Sequence, residues 1–229
     1  MALSEAEVGR YARQLILPGL GAATQEIFQA ARVHVVGAGE VAGPALLYLA
    51  TAGVGTIYVD DGLDVAAEDT GAWLYGADQV GETRLFAAIA SLRAASSFSR
   101  PRVYATGAEP TATLVCTASP AVAREAAERA RVAGMPHVVA VVDGDGGEVV
   151  SVPPGAPCYA CSSRPGSGAP ARPGAAAAIG ALGATELLIM IAGAAQGVAG
   201  RRVEVVLGQP LTRATSRVPG CPCTQGRAG

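Results

Sequence analysis

Two groups of residues in this sequence have types and spacings that could do chemistry: four cysteines and one glycine-rich turn. Cys158-Tyr159-Ala160-Cys161 follows a Pro-Pro-Gly turn, and Cys221-Pro222-Cys223 follows a Pro-Gly near the end of the chain. Two close pairs of thiolates on constrained loops match a tetrahedral structural zinc site built from Cys158, Cys161, Cys221 and Cys223. The second spacing is shorter than usual, and a disulfide or unrelated thiols are the competing readings. Four sulfur ligands leave no open position for water, so such a zinc is structural rather than catalytic. Cys116 stands apart at the end of an apolar run and reads as a small core residue.

The second group is Arg32-Val33-His34-Val35-Val36-Gly37-Ala38-Gly39-Glu40-Val41-Ala42-Gly43. A buried-strand pattern breaks here into a turn and then opens a helix. The first glycine permits the bend and the second lets a phosphate approach the backbone. The helix N-terminus adds unpaired N–H donors with partial positive charge. Gly37, Gly39 and Ala42 satisfy the fingerprint, which tolerates Ala at its third position. Asp60, 23 residues beyond Gly37, stands where a strand-end carboxylate receives a ribose hydroxyl, with Asp61 beside it. Gly37, Gly39, Asp60 and Asp61 are therefore the candidate nucleotide-binding residues, whether for a mononucleotide or a dinucleotide. The competing reading is a plain strand-to-helix turn followed by a solvated loop. Glu40 fits poorly, because its carboxylate neutralises the helix end and repels a triphosphate. At roughly 4 Å and an effective dielectric near 20, one such repulsion costs about 4 kcal/mol.

The 229 residues suffice for one sizeable core, and one domain over 1–229 is expected, with a nucleotide-binding half over about 1–142 and a second half over about 143–229. The formal charge is -2 and every basic residue is Arg, which leaves no basic footprint for nucleic acid and no polybasic membrane patch. Met1 to Glu7 is acidic and lacks a signal-peptide pattern, so a cytoplasmic location with reduced thiols is expected. Gly174 to Gly200 is apolar and long enough to span a bilayer, but Glu186 interrupts it and neither flank carries an aromatic belt. It reads as a buried helix, and no membrane partner is expected.

The elements that position these groups alternate between strands and helices, the pattern of an α/β, Rossmann-like, mostly parallel sheet covered on both faces. Strands are predicted at 33–36, 56–59, 102–105, 113–117, 137–142, 148–152 and 203–207. Helices are predicted at 41–52, 80–95, 120–133 and over the Ala-rich stretch. The 143–147 turn makes the sheet mixed at one edge. Residues 153–173 read as a long crossing loop. His34 and His137 read as core or strand-end residues, Trp73, Tyr75 and Phe86 as packing, and Arg201-Arg202 as the end of a surface turn.

Taken together, the residues resemble the ThiF/MoeB/HesA group, bacterial relatives of ubiquitin-activating enzymes. The resemblance is carried by Arg10-Tyr11-Ala12-Arg13-Gln14, Leu15-Ile16-Leu17-Pro18-Gly19, Gly37-Ala38-Gly39, Leu49-Ala50-Thr51-Ala52-Gly53-Val54-Gly55, Val80-Gly81 and Cys116-Thr117. Pro157-Cys158-Tyr159-Ala160-Cys161, Thr185-Glu186 and Pro219-Gly220-Cys221 extend it over nearly the whole chain. It implies a homodimer, or a heterodimer with a family member, that binds ATP with magnesium. The implied reaction adenylates the C-terminal glycine of a ubiquitin-like sulfur carrier or a related peptide. It also implies that Arg13 reaches across the dimer into the partner's site, and that Arg84 stands where the family has a phosphate-contacting Lys.

Other positions depart from the family. Glu40 replaces a second glycine, Glu68 and Gly71 replace an Asn and an Arg, and Ala118 replaces an Asp that helps hold magnesium. Asp60, Asp61 or Asp64 is the remaining candidate for the metal. No cysteine lies between Ser162 and Pro173, so thioester or persulfide chemistry is not expected. Three functions are open at this point. They are an adenylating enzyme of weakened activity, a non-catalytic subunit that binds a carrier or peptide or supports an active partner in trans, and, less favoured, an NAD-dependent oxidoreductase.

Overall fold

The computed structural model describes residues 3–70, 73–164, 166, 169–193, 200–206 and 209–224. In chain order the elements are α1 (Glu5–Leu15), α2 (Ala22–Ala30), β1 (Arg32–Val36), α3 (Ala42–Ala52), β2 (Thr56–Asp60), α4 (Arg84–Ala95), β3 (Arg100–Val103), β4 (Ala112–Thr117), α5 (Pro120–Val132), β5 (His137–Asp143), β6 (Gly146–Val152), α6 (Tyr159–Ser162), α7 (Pro173–Ile191), β7 (Arg201–Val206) and β8 (Gln209–Ala214). Eight strands form one sheet in the order β3-β2-β1-β4-β5-β6-β7-β8. Neighbours from β3 through β5 are parallel, and β6, β7 and β8 are added antiparallel. The expected mostly parallel sheet, mixed at one edge, is what the chain forms.

Strand periodicity divides the core. Val33, Val35, Leu114, Val138 and Ala140 face one layer with Leu46, Leu49, Ile179 and Leu187, whereas Val36, Val115, Val139 and Val141 face the other with Ala123, Ala127 and Tyr159. The first layer holds α3, α4 and α7, and the second holds α5 and α6. Strand order reverses between β1 and β4, so the carboxyl ends of those two strands flank the crevice where open α/β sheets take their ligands.

By length and composition alone, Gly174–Ile191 of α7 could cross a membrane. Here it packs on β4, β5, β6 and α3. Its glycines make that packing close, since a Cβ on Gly180 would lie 1.9 Å from the Val41 carbonyl oxygen. Glu186, the residue that interrupts the apolar run, is buried, accepts two hydrogen bonds from Arg201 at 2.7 Å each, and accepts a third from Ser151 at 2.9 Å. A buried carboxylate persists because its lone pairs are paired.

Several element boundaries differ from the sequence reading. Residues 80–83 are not helical, because Gly81 takes φ +87° and α4 starts only at Arg84. The predicted 102–105 strand lies two residues earlier, at 100–103, and includes Pro101 on an edge strand, where a missing N–H is tolerated. β7 starts at Arg201, so Arg201 and Arg202 are strand residues and not a surface turn; Arg202 is buried, and its guanidinium donates to the Ser162 carbonyl and to Glu204. The predicted extension of the Ala-rich helix over 194–199 lies outside the described residues.

Candidate nucleotide site and metal centre

At the end of β1 the backbone of the glycine turn forms as its sequence requires. Gly37 adopts φ +102°, and a Cβ there would lie 2.2 Å from the Cys116 carbonyl oxygen. Only glycine fits both constraints. The Gly37 N–H donates to the Asp60 carbonyl at 2.8 Å, which ties the turn to β2. The Tyr75 hydroxyl, buried, donates to the Ala38 carbonyl at 2.6 Å.

The side chains around this turn are already engaged. Asp61 accepts from the Ala38 N–H at 2.7 Å and from the Leu63 N–H at 2.8 Å, so one donor expected to face a phosphate serves the chain's own carboxylate. Asp60 pairs with His34 Nε2 at 3.0 Å, and the His34 ring stacks on Tyr104 with centroids 3.6 Å apart. That hydrogen bond from His34, opposed by burial and reinforced by charge, holds the Asp60 carboxyl below its usual range. Arg84 lies against the turn, with Nη1 3.2 Å from where a Gly39 Cβ would stand. Its fork is closed on Asp69: Nε to Oδ2 is 3.0 Å, Nη2 to Oδ1 2.9 Å and Nη2 to Oδ2 2.7 Å. The Arg84 and Asp69 side chains are only 16% and 7% exposed. Burial, and secondarily the charge of Asp69, raises the pKa of Glu40 while Arg84 lowers it.

Little space is left. The gap lined by Gly39, Glu40, Gly43, Asp69, Trp73, Leu74 and Tyr75 holds about 10 Å³. The carboxylates of Glu40 and Asp69 both line this gap. Ala118, exposed beyond β4, supplies no metal ligand, Glu68 is exposed, and Gly71 lies outside the described residues. Arg13 is exposed on α1, which is anchored at the far end of α3 by Gln14 Nε2 donating to the Ala52 carbonyl at 3.2 Å. The turn is at the opposite end of that 11-residue helix, about 16 Å away. A larger cavity of about 890 Å³, lined in part by Ile27, Pro136, Pro153 and Ile191, opens at the other end of the sheet and adjoins residues outside the described set. Its lining carries no charged side chain.

Sequence reasoning missed Asp69, which carries no motif and meets Arg84 only through the fold. It also left Tyr75 as mere packing, although its hydroxyl holds the turn.

The cysteines behave differently. The Sγ atoms of Cys158, Cys161, Cys221 and Cys223 lie within 4.8 Å of one another. Cys158 is 3.8 Å from Cys161 and 3.5 Å from Cys221, and Cys161 is 3.5 Å from Cys223. A tetrahedron with metal–sulfur bonds of about 2.3 Å has edges of about 3.8 Å, so the four thiols are positioned to bind one metal ion. Cys158 heads α6, and the Val218 N–H donates to Cys161 Sγ at 3.3 Å. Burial pushes the Cys158 thiol up to about 12. At Cys223 burial also pulls upward, but hydrogen bonds from the Cys158 backbone and the neighbouring thiols prevail and bring it down to about 7.

The model of the ThiF family matches residues 11–219. The chain belongs to the ThiF family. It is 43% identical over 105 residues to the probable adenylyltransferase/sulfurtransferase MoeZ of Mycobacterium tuberculosis, covering 45% of this chain and 26% of that protein. It is 36% identical over 171 residues to the adenylyltransferase and sulfurtransferase uba4 of Neosartorya fischeri, covering 69% of this chain and 35% of that one. The matched region is thus about a third or less of those relatives. Among solved structures, E. coli MccB in complex with MccA-N7isoASN superposes with a TM-score of 0.80 at 18% identity, over 98% of this chain and 76% of that one. The expected family and its fold are thereby established.

Proposed function

We propose that this ThiF-family chain works at the adenylate-forming step of its family as a non-catalytic subunit. In this reading it is a cytoplasmic protein that binds a ubiquitin-like sulfur carrier or a related peptide and pairs with itself or with an active family member. The observation that carries the proposal is the Arg84–Asp69 pair at the turn. The cation expected to meet phosphate is held by an internal carboxylate, in a gap of about 10 Å³. Joining a carboxylate to an α-phosphate gathers negative charge, and its transfer depends on cations and magnesium that neutralise it. Here Asp61 is occupied by two backbone N–H groups, Asp60 by His34, and Ala118 has no carboxylate to offer. Arg13, exposed and remote from its own turn, is available to a partner's site. MccB is crystallised with the MccA peptide, which supports a peptide or carrier as the bound partner.

The metal we assign to the four-cysteine site is zinc, on the all-thiolate donor set, with a structural role. A second reading, an adenylyltransferase of weakened activity, is favoured by the retained Gly37–Gly39 backbone, by Asp60 and by the cation of Arg84 itself. An oxidoreductase reading gives the cysteine site no role. ATP–pyrophosphate exchange with carriers ending in Gly-Gly separates the first two. We expect none from the chain alone, and Arg84-dependent exchange would establish the second.

A further inference from the structure

The contact that closes the turn has a geometry of its own. The Arg84 guanidinium lies against Gly39, where the absence of a Cβ leaves it room, and presents its fork to Asp69. A bidentate fork on a carboxylate uses the donors that a bidentate fork on a phosphate uses. Asp69 is set for this by its own segment, since Oδ2 also accepts from the Ala66 N–H at 2.9 Å and fixes the short helical turn at 67–69. The bond between the Ala38 N–H and Asp61 repeats the arrangement on the backbone side.

We propose that Asp69 is an autoinhibitory latch, an internal carboxylate that occupies the phosphate position on Arg84 and must be released before a nucleotide can enter beside Gly39. This deepens the reading of the site as non-catalytic by naming the contact that closes it. It also makes the closure removable: the turn backbone, Tyr75 and Arg84 are all in place, so neutralising one carboxylate frees the cation. Nucleoside triphosphate with magnesium is the ligand class that the uncovered fork and the helix end would take.

Trp73, the only tryptophan, lines the gap and is 54% exposed, so its fluorescence reports on occupancy. The test titrates ATP with magnesium into the full chain and into Asp69→Asn, which keeps an oxygen for the Ala66 N–H. Fluorescence is followed, with calorimetry in parallel. Wild type is expected to show no saturation up to about 1 mM, and Asp69→Asn to bind at least about ten-fold tighter. The double variant Asp69→Asn/Arg84→Gln is expected to lose that gain. Circular dichroism checks the fold, and if Asp69→Asn does not fold, Asp69→Thr, whose hydroxyl can serve Ala66, is read in its place. Equal affinity of wild type and variant, or a folded variant with no gain, overturns the latch and leaves the non-catalytic reading standing. Pyrophosphate exchange by wild type overturns that reading but not the latch, provided the variant still binds ten-fold tighter.

Discussion

The glycine turn and the cysteine cluster both carry the sequence resemblance to the family, yet the fold treats them in different senses. At the cysteine cluster, geometry and chemistry survive together, with four thiols at the edge lengths of a metal tetrahedron. At the turn only the backbone survives, and its surroundings are filled by Asp69, Glu40 and Asp61. The difference follows from what each feature does for the fold. Gly37 lies under the Cys116 carbonyl and its N–H pairs with Asp60, so the turn is part of the sheet whether or not a nucleotide binds. The four thiols lie outside the sheet, at α6 and in the segment around Cys221 and Cys223. From Thr215 to Thr224 the chain is mostly exposed, and the thiols are what fasten it to α6.

The largest effect that could break this comparison is therefore expected at the metal. Structural zinc supplies about 10–16 kcal/mol of folding free energy in small finger domains. Here the sheet has its own core, so the loss should be local. Chelation, or Cys158→Ser, should remove the metal detected by elemental analysis, lower the melting temperature by about 10 °C, and loosen the segment around the exposed Arg217 so that trypsin cleaves there at least about ten-fold faster. A chain purified without bound metal and equally resistant to trypsin would remove the contrast between the two regions.

The next effect separates the two glycines of the turn. Gly37→Ala meets both a positive φ and a carbonyl oxygen that cannot retreat, and should cost about 3 kcal/mol or more in urea denaturation. Gly39→Ala meets only the flexible tip of Arg84 at 3.2 Å and should cost under about 1 kcal/mol. Equal costs would mean that the turn is not retained for the fold.

The same division explains what was legible in the sequence. The strand, turn and helix from Val33 to Ala52 and the cysteine pairs are local patterns, set by periodicity, glycine and spacing, and they emerged where expected. What was not legible depends on pairs far apart in the chain. Asp69 reaches Arg84, and His34 reaches Asp60, only after the sheet has formed. Arg202 is buried where the fold brings its Nη1 to the Ser162 carbonyl and its Nη2 to Glu204. β8, with Gln209, Pro210 and Arg213, lacks strand alternation because it is a solvated edge. α2 was missed because the helix is short and carries no side-chain cap.

The smallest effect sharpens the electrostatic side of the contrast. Burial, and then Asp69, raises the Glu40 pKa above its ordinary 4.5, with Arg84 working against both. The folded chain therefore holds the Glu40 proton more tightly than the unfolded chain does, and stability from this group falls as pH rises from about 4.5 through the raised value. Below that window the carboxyl is neutral in both states and contributes nothing; above it the folded state carries a charge it disfavours. Glu40→Gln should accordingly leave the melting temperature unchanged near pH 4 and raise it by about 1 °C at pH 7. In the Asp69→Asn background the gain at pH 7 should shrink, because one of the two causes of the shift has been removed. A gain of the same size in both backgrounds would assign the shift to burial alone and take Glu40 out of the charge cluster that fills the turn.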